Sequence, residues 1–212
     1  MDAVSVKQLL PDRKNTFFNC AVWSNTYRDK IFLLGRQNNA VSPAPEPDIS
    51  ELVLLKLDNN LQIISEQTVW QPKYDTLFLE DPRIITINTN RPIVGMTCVL
   101  RSRTSFYPFG GYIEIADKNN WPSEFPNINL LESLGPGKDV TPIDERLLIF
   151  RPEGIDNYYQ FQVIEYSNKQ NITKHVGNID FPKNLSWATW KMGTSMPPIW
   201  INENEALFYS IG

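Results

Sequence analysis

The chain has 212 residues, enough for one large or two small domains, and its 42% hydrophobic and 12% aromatic content excludes a disordered polypeptide. Its 20 basic and 24 acidic residues leave a formal charge of -4. That balance argues against a nucleic-acid or polybasic membrane binder, because phosphate neutralisation needs clustered Lys and Arg.

In chain order, residues 1–10 carry no apolar core of signal-peptide length, and no later run approaches a membrane span. The expected location is cytoplasmic. Few segments show helical periodicity. Short apolar or alternating runs recur instead, separated by Asn, Asp, Pro and Gly. Residues 17–23 and 31–36 form a first strand pair around Asn25-Thr26-Tyr27-Arg28-Asp29. After a Pro-rich loop at 42–47, residues 52–57 and 62–70 pair across Asp58-Asn59-Asn60, a good hairpin signal. Together these four make one meander.

A second group opens at residues 83–88 and continues with 93–101 and 111–116, with 128–134 closing the set. A third has strands at 147–151, 158–167 and 172–179. A fourth is only begun, by 198–201 and 206–209. About a dozen short strands at this spacing suit repeated four-stranded sheets, and a β-sandwich also fits the count. The whole chain, 1–212, reads as a single domain.

Cys20 and Cys98 are the only cysteines, and both lie in apolar strand-like contexts. They read as buried thiols rather than a disulfide or a metal site. His175 is the only histidine, so a Ser-His-Asp triad or a histidine-rich metal site would have to be built around it. Within Ile172-Thr173-Lys174-His175-Val176 it reads as an exposed strand end, and no metal is expected. Asn171-Ile172-Thr173 and Asn184-Leu185-Ser186 match the glycosylation pattern, which carries little weight without a signal peptide.

The stretch with the most chemistry is Leu79-Glu80-Asp81-Pro82-Arg83-Ile84-Ile85. It places two carboxylates and an arginine where an apolar strand begins. Pro82 fixes its own φ and favours an extended Asp81. In an extended chain residues i and i+2 share a face, so Asp81 and Arg83 are expected to point together and Glu80 away. A proton-transfer role for Asp81 then depends on how closely Arg83 approaches it. The structural alternative is a turn in which Asp81 caps backbone amides.

The run EDPRI resembles the signature of glycoside hydrolase family 130, the β-mannoside phosphorylases and mannosidases, which are five-bladed β-propellers. Three further stretches are similar to that family in the same order. Phe18-Asn19-Cys20-Ala21-Val22 followed by Phe32-Leu33-Leu34-Gly35-Arg36 resembles its first-blade pair. Leu147-Leu148-Ile149-Phe150-Arg151-Pro152 resembles its apolar strand ending in HRP. Lys191-Met192-Gly193-Thr194-Ser195-Met196-Pro197-Pro198-Ile199 resembles its KIG-x-x-x-PPI. The implied fold is all-β, a β-propeller of the five-bladed type. A blade takes about 40 to 50 residues, so this chain holds about three and a half to four and is incomplete.

The resemblance implies that Asp81 is a catalytic acid delivering a proton to the glycosidic oxygen. It implies that Asn19, Arg36 and Arg83 line a sugar pocket, and that Arg151 and Lys191 hold phosphate. Arginine offers a bidentate fork for such a group and lysine a compact charge. The family's YHG reads Tyr209-Ser210-Ile211-Gly212, so a phosphate contact falls on Ser210, which can hydrogen-bond but adds no charge. Its FPE is replaced by Thr141-Pro142-Ile143-Asp144, and Phe150 stands where HRP has histidine.

The implied function is transfer of a mannosyl unit between a β-mannoside and phosphate. The alternatives are a β-mannosyltransferase, or a non-catalytic propeller fragment binding carbohydrate or protein. No cofactor is expected beyond phosphate as co-substrate. The partners are an oligosaccharide or mannose-1-phosphate. Open strand edges at 17–23 and 206–209 imply self-association.

Overall fold

The computed structural model describes residues 16–24, 31–38, 50–72, 77–85, 91–102, 105–117, 121–125, 127–154, 160–167, 172–181, 193–194, 196–202, 205–207 and 210–211. Their regular structure is β apart from a single 3-10 turn at Glu132–Leu134. Strands β1 (Thr16–Ser24), β2 (Ile31–Asn38), β3 (Glu51–Leu57) and β4 (Ile63–Trp70) form an antiparallel meander in chain order. The second meander is β5 (Leu77–Ile84), β6 (Ile93–Arg101), β7 (Phe106–Glu114) and β8 (Asn129–Leu130). The third is β9 (Gly137–Pro142), β10 (Leu147–Pro152), β11 (Gln160–Ser167) and β12 (Ile172–Asp180). Of the last strands, β13 (Gly193–Thr194) pairs with β16 (Ser210–Ile211), and β14 (Ile199–Trp200) with β15 (Ala206–Leu207).

The first strands of successive groups touch one another: β1 with β5, β5 with β9, and β9 with β13. They are the inner strands, and each sheet runs outward from them as a blade. The fold is an incomplete β-propeller of about three and a half to four blades. Among the described residues no strand pairing joins the last group to the first.

Packing between blade faces holds this arrangement together. Phe32, Leu34, Leu52 and Leu54 of the first sheet bury against Leu79, Val94, Met96 and Ile113 of the second. Trp121 stacks on Phe32 at 5.2 Å between ring centroids. The opposite face of the second sheet, with Ile93 and Tyr112, packs on Val140, Leu148, Phe150 and Ile164 of the third. Each such side chain contributes about 1.5–3 kcal/mol when fully buried, so these faces outweigh any single surface contact. Strands covered on both faces read as continuous apolar runs, as β2 and β6 do. Gly95 lets the second and third sheets approach each other. A Cβ there would lie 2.3 Å from the Val140 carbonyl oxygen, so only glycine lets β9 sit against β6.

The first meander matches its expected strands closely. Its β3–β4 hairpin is closed by Asp58, whose carboxylate accepts the Asn60 and Gln62 amides at 2.9 and 2.8 Å. The second opens earlier than expected, at Leu77, so EDPRI lies inside a strand rather than at its mouth. The inner strand β9 was not anticipated, because Gly137-Lys138-Asp139-Val140-Thr141-Pro142 has one large apolar residue and no apolar periodicity. Cys98 is buried, but Cys20 is exposed, a correction to its reading as a core thiol. It follows a bulge in β1, where the register shifts between Phe18 and Ala21. His175 is exposed within β12, its Nε2 2.7 Å from Asn178 Oδ1.

The expected turn at 25–29, the Pro-rich loop at 42–47 and residues 1–10 lie outside the described residues. Among the described residues β1 pairs with β2 alone and β15 with β14 alone, and Val22 and Leu207 are exposed there. No described helix is long and apolar enough to cross a membrane.

Candidate active site

Three of the four inner strands carry the same device. Asn19 in β1, Asp81 in β5 and Asp139 in β9 have left-handed backbones, with φ of 47°, 49° and 57°. In all three cases the ladder register shifts at that point, as in a β-bulge. Asn and Asp are the side chains that best tolerate this region outside glycine. A bulge re-aims side chains that the alternation of a strand would otherwise separate. The period of two expected across Pro82 is therefore broken, and Asp81 is not extended.

Asp81 accepts hydrogen bonds from two other elements. Asn19 Nδ2 donates to its Oδ1 at 2.5 Å, and Arg36 Nη1 donates to the same oxygen at 3.3 Å. Among the described residues its Oδ2 accepts no hydrogen bond, and 33% of the side chain is exposed. Glu80 does not turn away. Its Oε1 lies 3.3 Å from Arg36 Nη2, so both carboxylates address one guanidinium. Arg36 is held in turn by Ser50, whose Oγ accepts from Nε at 3.0 Å, and by the Phe18 ring 4.8 Å away.

Arg83 does not reach the Asp81 carboxylate. Its Nη1 donates to the Asp81 backbone carbonyl at 3.1 Å. Its Nη2 donates to Asp139 Oδ1 at 2.9 Å and to the Thr194 carbonyl at 2.8 Å. The other Asp139 oxygen accepts from Arg151 Nε at 2.8 Å. Arg151 is 2% exposed, and its Nη1, 3.7 Å from Glu153 Oε1, makes no hydrogen bond among the described residues. Thr141 and Thr194 share a hydroxyl contact of 2.7 Å, which ties the third sheet to the fourth group.

The structure thus joins four of the expected site residues, Asn19, Arg36, Asp81 and Arg83, and links Arg151 to them through Asp139. Lys191 lies outside the described residues, as does the side chain of Ser210; the Ser210 backbone pairs with Thr194. Asp139 was missed. Its signal was a short acidic residue in the third inner strand, equivalent to Asn19 and Asp81, but that strand itself was not legible. Three guanidiniums, Arg36, Arg83 and Arg151, meet four carboxylates, Glu80, Asp81, Asp139 and Glu153. Among the described residues no group of three His, Cys, Asp or Glu could hold a metal ion.

This fold is similar to that of several solved glycosidases. Three solved structures illustrate the likeness. The Trypanosoma rangeli sialidase in complex with 2,3-difluorosialic acid is 10% identical, with a TM-score of 0.57 over 92% of this chain. A glycosyl hydrolase from Bacteroides ovatus is 13% identical, with a TM-score of 0.57 over the same share. The third comes from the GH130 family of mannoside phosphorylases, which contains glycoside hydrolases that target β-1,2 mannosidic linkages in Candida mannan. It is 16% identical, with a TM-score of 0.51 over 92% of this chain. The chain spans 35%, 59% and 59% of those structures' lengths, respectively. At such identities the likeness establishes the fold. No family model and no curated protein matches the sequence.

Proposed function

We propose that the protein is a carbohydrate-active enzyme in which Asp81 delivers a proton to a glycosidic oxygen. The finer reading is transfer of a mannosyl unit between a β-mannoside and phosphate, as the resemblance to glycoside hydrolase family 130 implies. One observation carries the proposal. Asp81 is aimed by a left-handed bulge, gripped through one oxygen by Asn19 and Arg36, and left with its other oxygen unengaged by described residues on a partly exposed side chain. A positioned acid contributes about 10²–10⁴-fold to such a reaction. Asn19 and Arg36 have the donor chemistry to bind sugar hydroxyls beside it. A β-mannosyltransferase would use the same groups with mannose-1-phosphate as donor.

A second reading, a non-catalytic carbohydrate-binding propeller, is favoured by the burial of Arg151 against Asp139 and Glu153. That arrangement leaves phosphate recognition to Lys191 and Ser210. Incubation with a panel of β-mannosides, with and without phosphate, separates the readings. Phosphate-dependent formation of mannose-1-phosphate supports the first. Saturable sugar binding without turnover in either direction supports the second.

A further inference from the structure

Asp81 and Asp139 occupy equivalent bulges on adjacent inner strands, yet their surroundings are opposite. Asp81 is partly exposed with one oxygen uncommitted among the described residues, whereas Asp139 is 8% exposed with each carboxylate oxygen taken by a different guanidinium. A left-handed aspartate directly before a proline is a conformation that persists only where its surroundings over-determine it. For Asp81 the support on the backbone is Arg83, through the 3.1 Å bond to the Asp81 carbonyl. Arg83 is itself fixed by Asp139 and the Thr194 carbonyl. Asp139 is fixed by Arg151, by its own amide on Thr97 Oγ1 at 3.3 Å, and by the hydroxyls of Thr141 and Thr194 on its carbonyl at 3.1 and 3.3 Å.

We propose that Asp139 is a positioning residue that holds Asp81 in its left-handed bulge by clamping Arg83. The proposal rests on the reading of Asp81 as the proton donor. Without Asp139, Arg83 is left between two carbonyls with no counter-charge and swings away. The Asp81 carbonyl then loses its donor, the bulge relaxes toward the extended form that Pro82 favours, and the carboxyl leaves Asn19 and Arg36. The groups that set the behaviour of the Asp81 carboxyl at its own position are Arg36, Glu80 and Asn19.

The test uses the full chain and the variants Asp139→Asn and Arg83→Lys. Arg83→Lys keeps a positive charge opposite Asp139 but cannot reach Asp139 and the Asp81 carbonyl together. Two β-mannosides are compared, one with a sugar leaving group that needs protonation and one with a dinitrophenyl leaving group that does not. Asp139→Asn should lower kcat for the first by about 10²-fold, with KM and dinitrophenyl turnover changed less than about threefold. Equal losses on both substrates would mean a merely structural role and overturn the proposal. A second readout needs no turnover: the carboxyl carbon resonance of Asp81 in aspartate-labelled protein, assigned with Asp81→Asn. It should move in both variants, and an unmoved signal in a folded variant overturns the proposal. A wild-type chain that turns over neither substrate defeats the proton-donor reading, and the resonance alone then decides whether Asp139 holds Asp81. Should Asp139→Asn fail to fold, the Asp81 carboxyl resonance in Arg83→Lys decides.

Discussion

At the scale of single residues, the bulges on the inner strands convert ordinary Asn and Asp side chains into a convergent set. If Asp81 is the proton donor, Asp81→Asn lowers turnover by about two to four orders of magnitude, measured as kcat on a β-mannoside, because the amide cannot deliver the proton. Unchanged turnover would leave Asp81 with only a structural part in the bulge. The two thiols should also part company. Burial pushes the Cys98 thiol up to about 12, whereas Cys20 is exposed. A thiol reagent near neutral pH should modify Cys20 in the native protein and Cys98 only after unfolding. Burial, with Glu114 as a lesser cause, also pushes Tyr112 up to about 12. Both groups have folded values above their ordinary 9.0 and 10.0, so the unfolded chain gives up their protons first. The stability they contribute is intact below pH 9 and is lost as pH rises through 12. Denaturation midpoints measured across that window should fall steadily, and a flat profile would contradict the burial of both groups.

Among the elements, the contact between β6 and β9 decides whether the site assembles. Arg83 lies opposite Gly95 in the ladder, and the bare glycine lets Val140 approach, which brings Asp139 up to Arg83. Gly95→Ala forces backbone against a side chain with no flexible atom to yield, and it should destabilise the chain by about 1–3 kcal/mol or more. Gly177 in β12 is the control, because a Cβ there meets nothing within 4 Å, and its alanine variant should stay within about 0.5 kcal/mol of the parent. Equal denaturant midpoints for both variants would show that the two blades are free to separate. The β9 clamp also carries energy. Asp139→Ala leaves two guanidiniums without their carboxylate, and losing one partner of a buried pair costs about 3–5 kcal/mol.

For the whole molecule, a propeller protects its strands by bringing the last blade against the first. The β14–β15 hairpin of the fourth group leaves Ile199, Trp200, Ile201 and Leu207 all exposed. Apolar side chains grouped in this way mark contact surfaces. Light scattering at rising concentration should therefore show self-association, and Ile201→Lys should reduce it. A strictly monomeric species at every concentration would remove this face as a contact.

The strand content, the first meander and the positions of Asn19, Arg36 and Arg83 in strands were legible in the sequence, whereas Asp81 was expected ahead of its strand and lies inside β5. Alternation and turn chemistry are local, and strands buried on both faces declare themselves as apolar runs. The strand β9 was not, since a short inner strand of mixed polarity leaves no periodic trace. Nor was the pairing at the centre. Period-two reasoning assigned Arg83 to Asp81 and sent Glu80 away, whereas the bulge gave both carboxylates to Arg36 and left Arg83 to Asp139. Bulges of this kind depend on what the neighbouring blade offers the displaced side chain, 62 residues away for Asn19 and Asp81 and 56 for Arg83 and Asp139. The amino-acid sequence by itself determined that this protein folds as strands in repeated groups, because those preferences are short-range. Only the tertiary structure decided which charges meet, because ion pairs across blades exist only once the apolar faces have packed and fixed the inner strands side by side.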